Sequence, residues 1–393
     1  MHVMIIPTMG CPANCSYCWS SEETSHIMTQ KTADDIIEWL KDFQKEPTTF
    51  TFHGGEPLLA GYEFYKHILG RIDKELDFLY PAYAIQTNLW KMDDEIAELF
   101  KQYEIPIGSS LDGPRELNDI QRGINYYDNT MKGYQIARKH DLNVSFISTF
   151  TKNSIKQKEE IFEFFKQKGL NMKIHPALSS IKSHKSDNFA IDPEEYGNLM
   201  LYLLDEYLDV ADIMELKNLD HLCKGVLRKK GCVCTYVDCM DSTFAIGPDG
   251  SIYPCYRFVD MPEFKIGDVA DKPSYEELMN TKAELLLKEY KEYVDENCSD
   301  CKHIDYCRGG CPYNALVYGD GNMEVSCVDP HCEAYKMIFD KIDELMNQKL
   351  DFAFDELNDV IEKDFNFTLN VGFENKPEDS KKKFTVMDIA LKP

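Results

Sequence analysis

The chain has 393 residues, 43% of them hydrophobic, enough for one large domain with a smaller one attached. Its formal net charge of −25 excludes a nucleic-acid surface, which Lys and Arg must build; a solvated exterior is the plain reading and a basic peptide partner the sharper one. No apolar run nears the ~18 residues of a membrane span, and MHVMIIPTMGC has no basic region before a long apolar stretch, so a cytoplasmic protein without membrane or signal segment is expected.

Short β-rich runs at 2–7, 48–52, 83–87, 106–110, 143–150 and 171–176 predict six strands. Between them, apolar spacing at 32–43, 62–77, 93–103, 130–140 and 154–168 predicts amphipathic helices. Strands alternating with helices imply βαβ units on a parallel sheet, and six repeats fall short of a closed eight-stranded barrel. The expected fold is therefore α/β, a partial (β/α)6 TIM barrel open on one side. After it, 192–209 predicts a helix with Asp192 as N-cap and Pro193 at its first position. From about residue 231 the chain turns to short segments dense in cysteine, glycine and proline. There, 242–246 and 251–253 flank Gly247-Pro248-Asp249-Gly250, a hairpin signal. A last helix is expected at 333–350, then a charged stretch at 375–383 and an apolar end at 384–391.

Fourteen cysteines in a chain with no export signal point to metal or redox chemistry, because reducing compartments keep thiols free. They are bunched: three lie between Cys11 and Cys18, and none follow until Cys223. Cys11, Cys15 and Cys18 form C-x3-C-x2-C directly after the first strand. Three thiolates are one short of a cubane iron–sulfur cluster's usual four, which leaves one iron open to an outside ligand. A zinc site of three cysteines and a histidine, with His26 the nearest candidate, is the alternative.

The triplet, with Tyr17 just before its last cysteine, resembles the signature of the radical S-adenosylmethionine (SAM) enzymes. The resemblance implies that the open iron chelates the amino and carboxylate groups of SAM's methionine, with Tyr17 near the adenine. The second strand ends in His53-Gly54-Gly55-Glu56-Pro57, similar to the family's GGEP segment, which binds the methionine amino group. Paired glycines admit close backbone approach, and a carboxylate suits an ammonium. The fourth strand ends in Ser110-Leu111-Asp112-Gly113-Pro114, with Arg122 soon after. This resembles the SLDGP segment of peptide-modifying members and implies that Ser110 contacts SAM while Arg122 meets its carboxylate. Without the family, Asp112-Gly113-Pro114 reads as a turn and Arg122 as a surface ion pair. Gln86-Thr87-Asn88, at the third strand's end, matches less distinctively. All these residues fall at carboxyl ends of strands, where βα barrels place their chemistry.

Cys239, Gly250 and Cys255, then Cys298-x2-Cys301-x5-Cys307-x3-Cys311, Cys327 and Cys332, resemble the SPASM domain of radical SAM enzymes. That implies two auxiliary [4Fe–4S] clusters and three in all. By family analogy the first takes Cys234, Cys239, Cys255 and Cys311, with Cys232 the alternate to Cys234. The second takes Cys298, Cys301, Cys307 and Cys332, with Cys327 the alternate to Cys332. Cys223 is spare and expected to be a buried thiol, and a zinc knuckle is the other reading of Cys298 to Cys311. The expected division is a barrel at 1–190, a helical bridge at 191–230, a SPASM domain with a β-hairpin and helices at 231–337, and a C-terminal helix and tail at 338–393.

The implied chemistry is reductive cleavage of SAM to a 5′-deoxyadenosyl radical that abstracts hydrogen from a ribosomally made peptide, giving a thioether or carbon–carbon crosslink. Its implied partners are a peptide or protein substrate and a low-potential donor of ferredoxin or flavodoxin type, with neither nucleic acid nor membrane. In the sulfatase-maturating branch an Asp that serves as base follows the cysteine matching Cys255, whereas Tyr256 stands here. Formylglycine formation is therefore the alternative, and no catalytic base is assigned. With the first strand starting beside Met1, no N-terminal peptide-recognition domain is expected. A non-catalytic iron–sulfur protein is the rival from another class; it leaves Gly54-Gly55-Glu56 and the three-ligand site unexplained.

Overall fold

Alternating large apolar and smaller or polar residues give each strand one face for helices and one for a lumen. In β1 (His2–Thr8), Val3 and Ile5 are fully buried while His2 and Met4 stay half-buried. The same pleat runs through β2 (Thr49–Gly54), β3 (Ala82–Gln86), β4 (Ile107–Ser110), β5 (Val144–Phe150) and β6 (Met172–Pro176). In the computed structural model, which describes residues 1–18, 26–43, 46–182, 184–239, 242–318 and 325–361, these six strands pair in parallel in the order β6-β5-β4-β3-β2-β1. The expected C-terminal segments at 375–383 and 384–391 lie outside the described residues.

Six helices pack on the outer face: α1 (Gln30–Leu40), α2 (Gly61–Glu75), α3 (Asp94–Gln102), α4 (Arg115–Arg122), α5 (Tyr126–Lys139) and α6 (Lys158–Lys168). Local chemistry fixes their ends. Asp93 caps α3 by accepting the Ile96 N–H at 2.9 Å, and Asp94 and Glu95 in the first turn suit the positive end of its dipole. The sequence pattern does not show α4, because Ile120 is exposed and the residues it buries include Asn118, Gln121 and Arg122.

Beyond the barrel come α7 (Pro193–Leu208) and α8 (Lys217–Arg228), α7 starting at the expected Asp192 cap, which accepts the Glu194 N–H at 2.9 Å. The hairpin is formed by β7 (Thr243–Ile246) and β8 (Ser251–Tyr253), extended by β9 (Gly267–Asp268). β7 also pairs in parallel with β1, from His2↔Thr243 to Ile5↔Ile246. One nine-stranded sheet therefore runs from the barrel into the cysteine-rich region, and it does not close on itself. Trp39 of α1 ties the two regions: its ring meets Phe244 of β7 edge-on, and its indole N–H donates to the Pro273 carbonyl at 2.9 Å.

The C-terminal helices are α9 (Tyr275–Met279), α10 (Lys282–Cys298), α11 (Ile304–Cys307), α12 (Pro312–Tyr318) and α13 (Cys332–Ile361). α13 crosses α7 at Gly197, where a Cβ would sit 3.2 Å from Ala334 Cα and Cβ. No helix among the described residues is long and apolar enough to cross a membrane.

Candidate active site

The loop after β1 carries Cys11, Cys15 and Cys18 to the carboxyl ends of the strands. It is held by backbone. Gly55 N–H donates to Thr8 O at 3.0 Å and Glu56 N–H to Gly10 O at 2.9 Å. A Cβ at Gly55 would lie 2.3 Å from Met9 O and 2.4 Å from Gly10 O, and one at Gly54 would lie 2.3 Å from Thr8 O. The glycine pair thus makes room for the cysteine loop itself, where the sequence suggested room for a ligand. From the other side, Asn14 and Ser16 N–H groups donate to the carbonyls of Arg122 and Gln121.

Burial pushes the Cys11 and Cys15 thiols up to about 12, and the thiols of the triplet act on one another electrostatically. Buried thiols this close ionise readily only with a cation among them, which is what a metal cluster supplies. Tyr17 and Tyr126 pack beside them, with the Arg122 guanidinium 5.5 Å and 5.2 Å from their ring centroids.

Glu56 is completely buried. Its carboxylate accepts from the Leu58 N–H (2.9 Å), the Thr87 hydroxyl (2.6 Å) and the Asn88 N–H (2.7 Å), joining the ends of β2 and β3. Three of its roughly four acceptor positions are thereby used, so the expected carboxylate–ammonium contact has little free capacity here. Burial raises its pKa to about 7. His53 accepts the Gly54 N–H at Nδ1, and burial lowers its pKa to about 4. Its ring lies 4.1 Å from that of Tyr256, whose hydroxyl donates to Gly54 O at 3.3 Å.

Arg122 is nearly buried and, contrary to the surface reading, belongs to the interior. Its Nη2 donates to Asp112 Oδ1 at 2.7 Å, while its Nε is buried with no partner. An orphaned guanidinium N–H beside the thiol triplet fits an incoming carboxylate. Asp112, which reads as a turn residue in the sequence, is the hub of this wall. It also accepts from Tyr17 O–H (3.1 Å), Gln121 Nε2 (2.7 Å) and Thr149 N–H (2.8 Å). Only the family-like spacing of Arg122 after the SLDGP segment hinted at the pair; Gln121 and Thr149 gave no signal. Ser110 faces the lumen and accepts from Gln86 Nε2 at 3.2 Å.

The C-terminal cysteines gather into two groups. Cys234, Cys239, Cys255 and Cys311 act electrostatically on one another, and burial raises the pKa of Cys239, Cys255 and Cys311. Cys298, Cys301, Cys307 and Cys332 line one small pocket with Lys336 and Phe339. Cys232 is exposed, its thiol turned to Lys230 O at 3.4 Å, and the Cys327 thiol meets Ala315 O at 3.7 Å. Cys223 is a fully buried core thiol. Asp329, also fully buried, braces the first group by accepting the Cys311 N–H at 2.8 Å, the Asn314 amide at 2.9 Å and the Tyr335 hydroxyl at 3.1 Å.

Residues 5–165 match the Radical SAM superfamily, and residues 234–302 match SPASM, an iron–sulfur cluster-binding domain. The chain is 59% identical over 230 residues to an uncharacterized protein of Methanothermobacter thermautotrophicus, covering 58% of this chain and 88% of that one. It is 24% identical over 351 residues to the cysteine-type anaerobic sulfatase-maturating enzyme of Clostridium perfringens, covering 84% and 93% of the two chains. Among solved structures, native anSMEcpe with bound AdoMet and Cp18Cys peptide superposes with a TM-score of 0.75 at 23% identity, over 92% of this chain and 99% of that one.

Proposed function

The chain belongs to the radical SAM superfamily and carries a SPASM domain, and on that premise we propose that it is a maturase that modifies a ribosomally made peptide. It is an enzyme whose cofactors are SAM and [4Fe–4S] clusters. When bound, they supply an electron that cleaves SAM and a 5′-deoxyadenosyl radical that takes hydrogen from the substrate. We assign Cys11, Cys15 and Cys18 to the SAM-binding cluster. The two further groups hold one auxiliary cluster each: Cys234, Cys239, Cys255 and Cys311 the first, Cys298, Cys301, Cys307 and Cys332 the second. The division at 1–190, 191–230, 231–337 and 338–393 is part of the same proposal. A ferredoxin- or flavodoxin-type protein is the proposed electron donor.

The residues around the triplet divide the work. Arg122 presents its unpartnered Nε to SAM's carboxylate while Asp112 holds the guanidinium in place. Tyr17, fixed by its bond to Asp112, offers an aromatic face for the adenine. Ser110, bonded to Gln86 on the same lumen face, ends the strand that leads into Asp112 and lines the lumen beside it. Gly54, Gly55 and Glu56 position the cysteine loop, and His53 supports Tyr256.

The observation that carries the product assignment is Tyr256. Its phenol is spent on Gly54 O, and it occupies the position where sulfatase maturases resemble one another in having an Asp. A peptide crosslink, thioether or carbon–carbon, needs no carboxylate base there. The second reading, formylglycine formation, draws on the likeness to the Clostridium perfringens enzyme over 93% of its length. Anaerobic reconstitution with iron and sulfide, then reduction with SAM, tests both levels. 5′-Deoxyadenosine is the expected product, and its absence sinks the radical SAM reading. Conversion of a cysteine-type sulfatase peptide to the aldehyde as fast as a known maturase sinks the crosslink.

A further inference from the structure

The lumen is basic although the chain is acidic. Asp and Glu outnumber Lys and Arg 68 to 43, yet no lumen-facing position of β1–β6 carries a carboxylate. The acids at the strand ends, Glu56 and Asp112, are engaged by their own donors. On β6 the inner face carries Lys173 and His175. Lys173 lies opposite Ile147 of β5, and His175 opposite Thr149, the residue whose hydroxyl meets Arg122 Nη2 at 3.4 Å.

Lys173 is half-buried and makes no hydrogen bond or ion pair with any described residue, while His175 is exposed to the lumen. After burial, the charges that depress the neighbouring imidazoles are positive. Lys173 acts on His53 and His221, and Lys173, Arg257 and Arg122 act on His175. His175 is held at about 4, so near neutrality it is an uncharged ring that adds no charge of its own, and its hydrogen bond to the Pro176 backbone, which has only a carbonyl to offer, takes its one N–H. On the open side of the barrel, His221 of α8 leaves Nδ1 buried without a partner. A half-desolvated ammonium with no counter-ion is unfavourable, and such a lumen is electrostatically complete only with an anion in it.

We propose that this lumen is a carboxylate-binding subsite for the peptide substrate, in which Lys173 supplies the charge for an acidic side chain or a C-terminal carboxylate and the uncharged His175 ring lines the site beside it. One ammonium matches one monoanion. The assignment rests on the peptide-modifying reading and narrows its substrate class to acidic peptides reacting close to a carboxylate.

The test is a binding selection. A randomised hexapeptide pool, made with C-terminal acid and with C-terminal amide, is passed over immobilised, cluster-loaded protein with SAM under non-reducing conditions. Wild type should enrich Asp, Glu or the free carboxyl terminus about tenfold over Lys173→Met, the loss of one charge-assisted hydrogen bond. Lys173→Arg should recover most of the enrichment, and equal iron content and cluster absorbance establish that the variants are folded. The proposal is overturned if wild type enriches neutral or basic peptides, if nothing is retained above bare resin, or if Lys173→Met selects the same pool. It is equally overturned if Lys173→Met loosens SAM as much as peptide, which would give the ammonium to the cofactor. 5′-Deoxyadenosine formation by wild type is scored separately, so failure of the radical SAM reading and failure of the subsite are told apart.

Discussion

At the residue scale, two buried carboxylates decide how the mouth of the barrel is held. Asp112 gathers Tyr17, Gln121, Arg122 and Thr149 onto one side chain, and Arg122 is the only cation it binds directly among the described residues. Asp112→Ala leaves a buried guanidinium without a counter-charge, which costs about 3–5 kcal/mol. Anaerobic denaturant titration should show that loss, with Asp112→Asn milder because one acceptor survives. Gly55 makes a different kind of prediction. An alanine Cβ there has to displace the Met9 and Gly10 carbonyls and with them the cysteine loop, while the C-terminal groups are untouched. Iron analysis of Gly55→Ala should therefore fall by about four of some twelve irons per chain, with the auxiliary clusters retained. The cysteines of this site were legible because their spacing is local. Asp112 was not, because Asp-Gly-Pro has a sufficient local reading as a turn and its four partners come from three separate segments.

At the scale of elements, the six strands and five of the barrel helices were legible, since each carries its own period of burial. α4 escaped because Leu117 is its one buried apolar residue, and a hydrophobic pattern cannot show a helix that otherwise packs through Asn118, Gln121 and Arg122. The partnership of β7 with β1 escaped for another reason. The hairpin signal at Gly247 to Gly250 is local, but the pairing of His2–Ile5 with Thr243–Ile246 spans most of the chain and leaves no trace in either segment. The far edge of the sheet is covered by one backbone bridge, Met172 to Leu216, and beyond it by a side chain. Asn218 of α8 accepts the Ile174 N–H and donates to the Ile174 carbonyl, each at 3.0 Å, standing in for a seventh strand on β6. Asn218→Ala removes both bonds, a loss of about 1–2 kcal/mol. Hydrogen exchange at Ile174 should accelerate about tenfold or more, with β1 and β2 amides little changed. Equal protection in the variant would show that the edge is held by the Met172–Leu216 bridge and packing, not by Asn218.

At the scale of the whole molecule, charge is arranged in opposite senses outside and inside. The chain as a whole carries a net −25, whereas Lys173 on the inner face of β6 has no ion pair with any described residue. An acidic peptide approaching this molecule meets repulsion first and attraction only once inside. Salt separates the two, because exposed charges are screened over about 10 Å at ~0.1 M while a half-desolvated contact is screened far less. Association of an acidic peptide should therefore accelerate several-fold between about 0.01 M and 0.15 M salt, the reverse of ordinary electrostatic steering. Dissociation should change less over that range, since release breaks the sheltered Lys173 contact, so affinity should rise with salt before it falls. Stopped-flow binding of one fluorescent acidic peptide and its amide counterpart measures both rates. A rate that drops with salt for the acidic peptide would mean that a cationic patch, not the acidic exterior, governs the approach. A basic peptide entering faster at low salt but leaving at once would mark the exterior as attractive and the lumen as selective, which is the discrimination that this charge arrangement predicts.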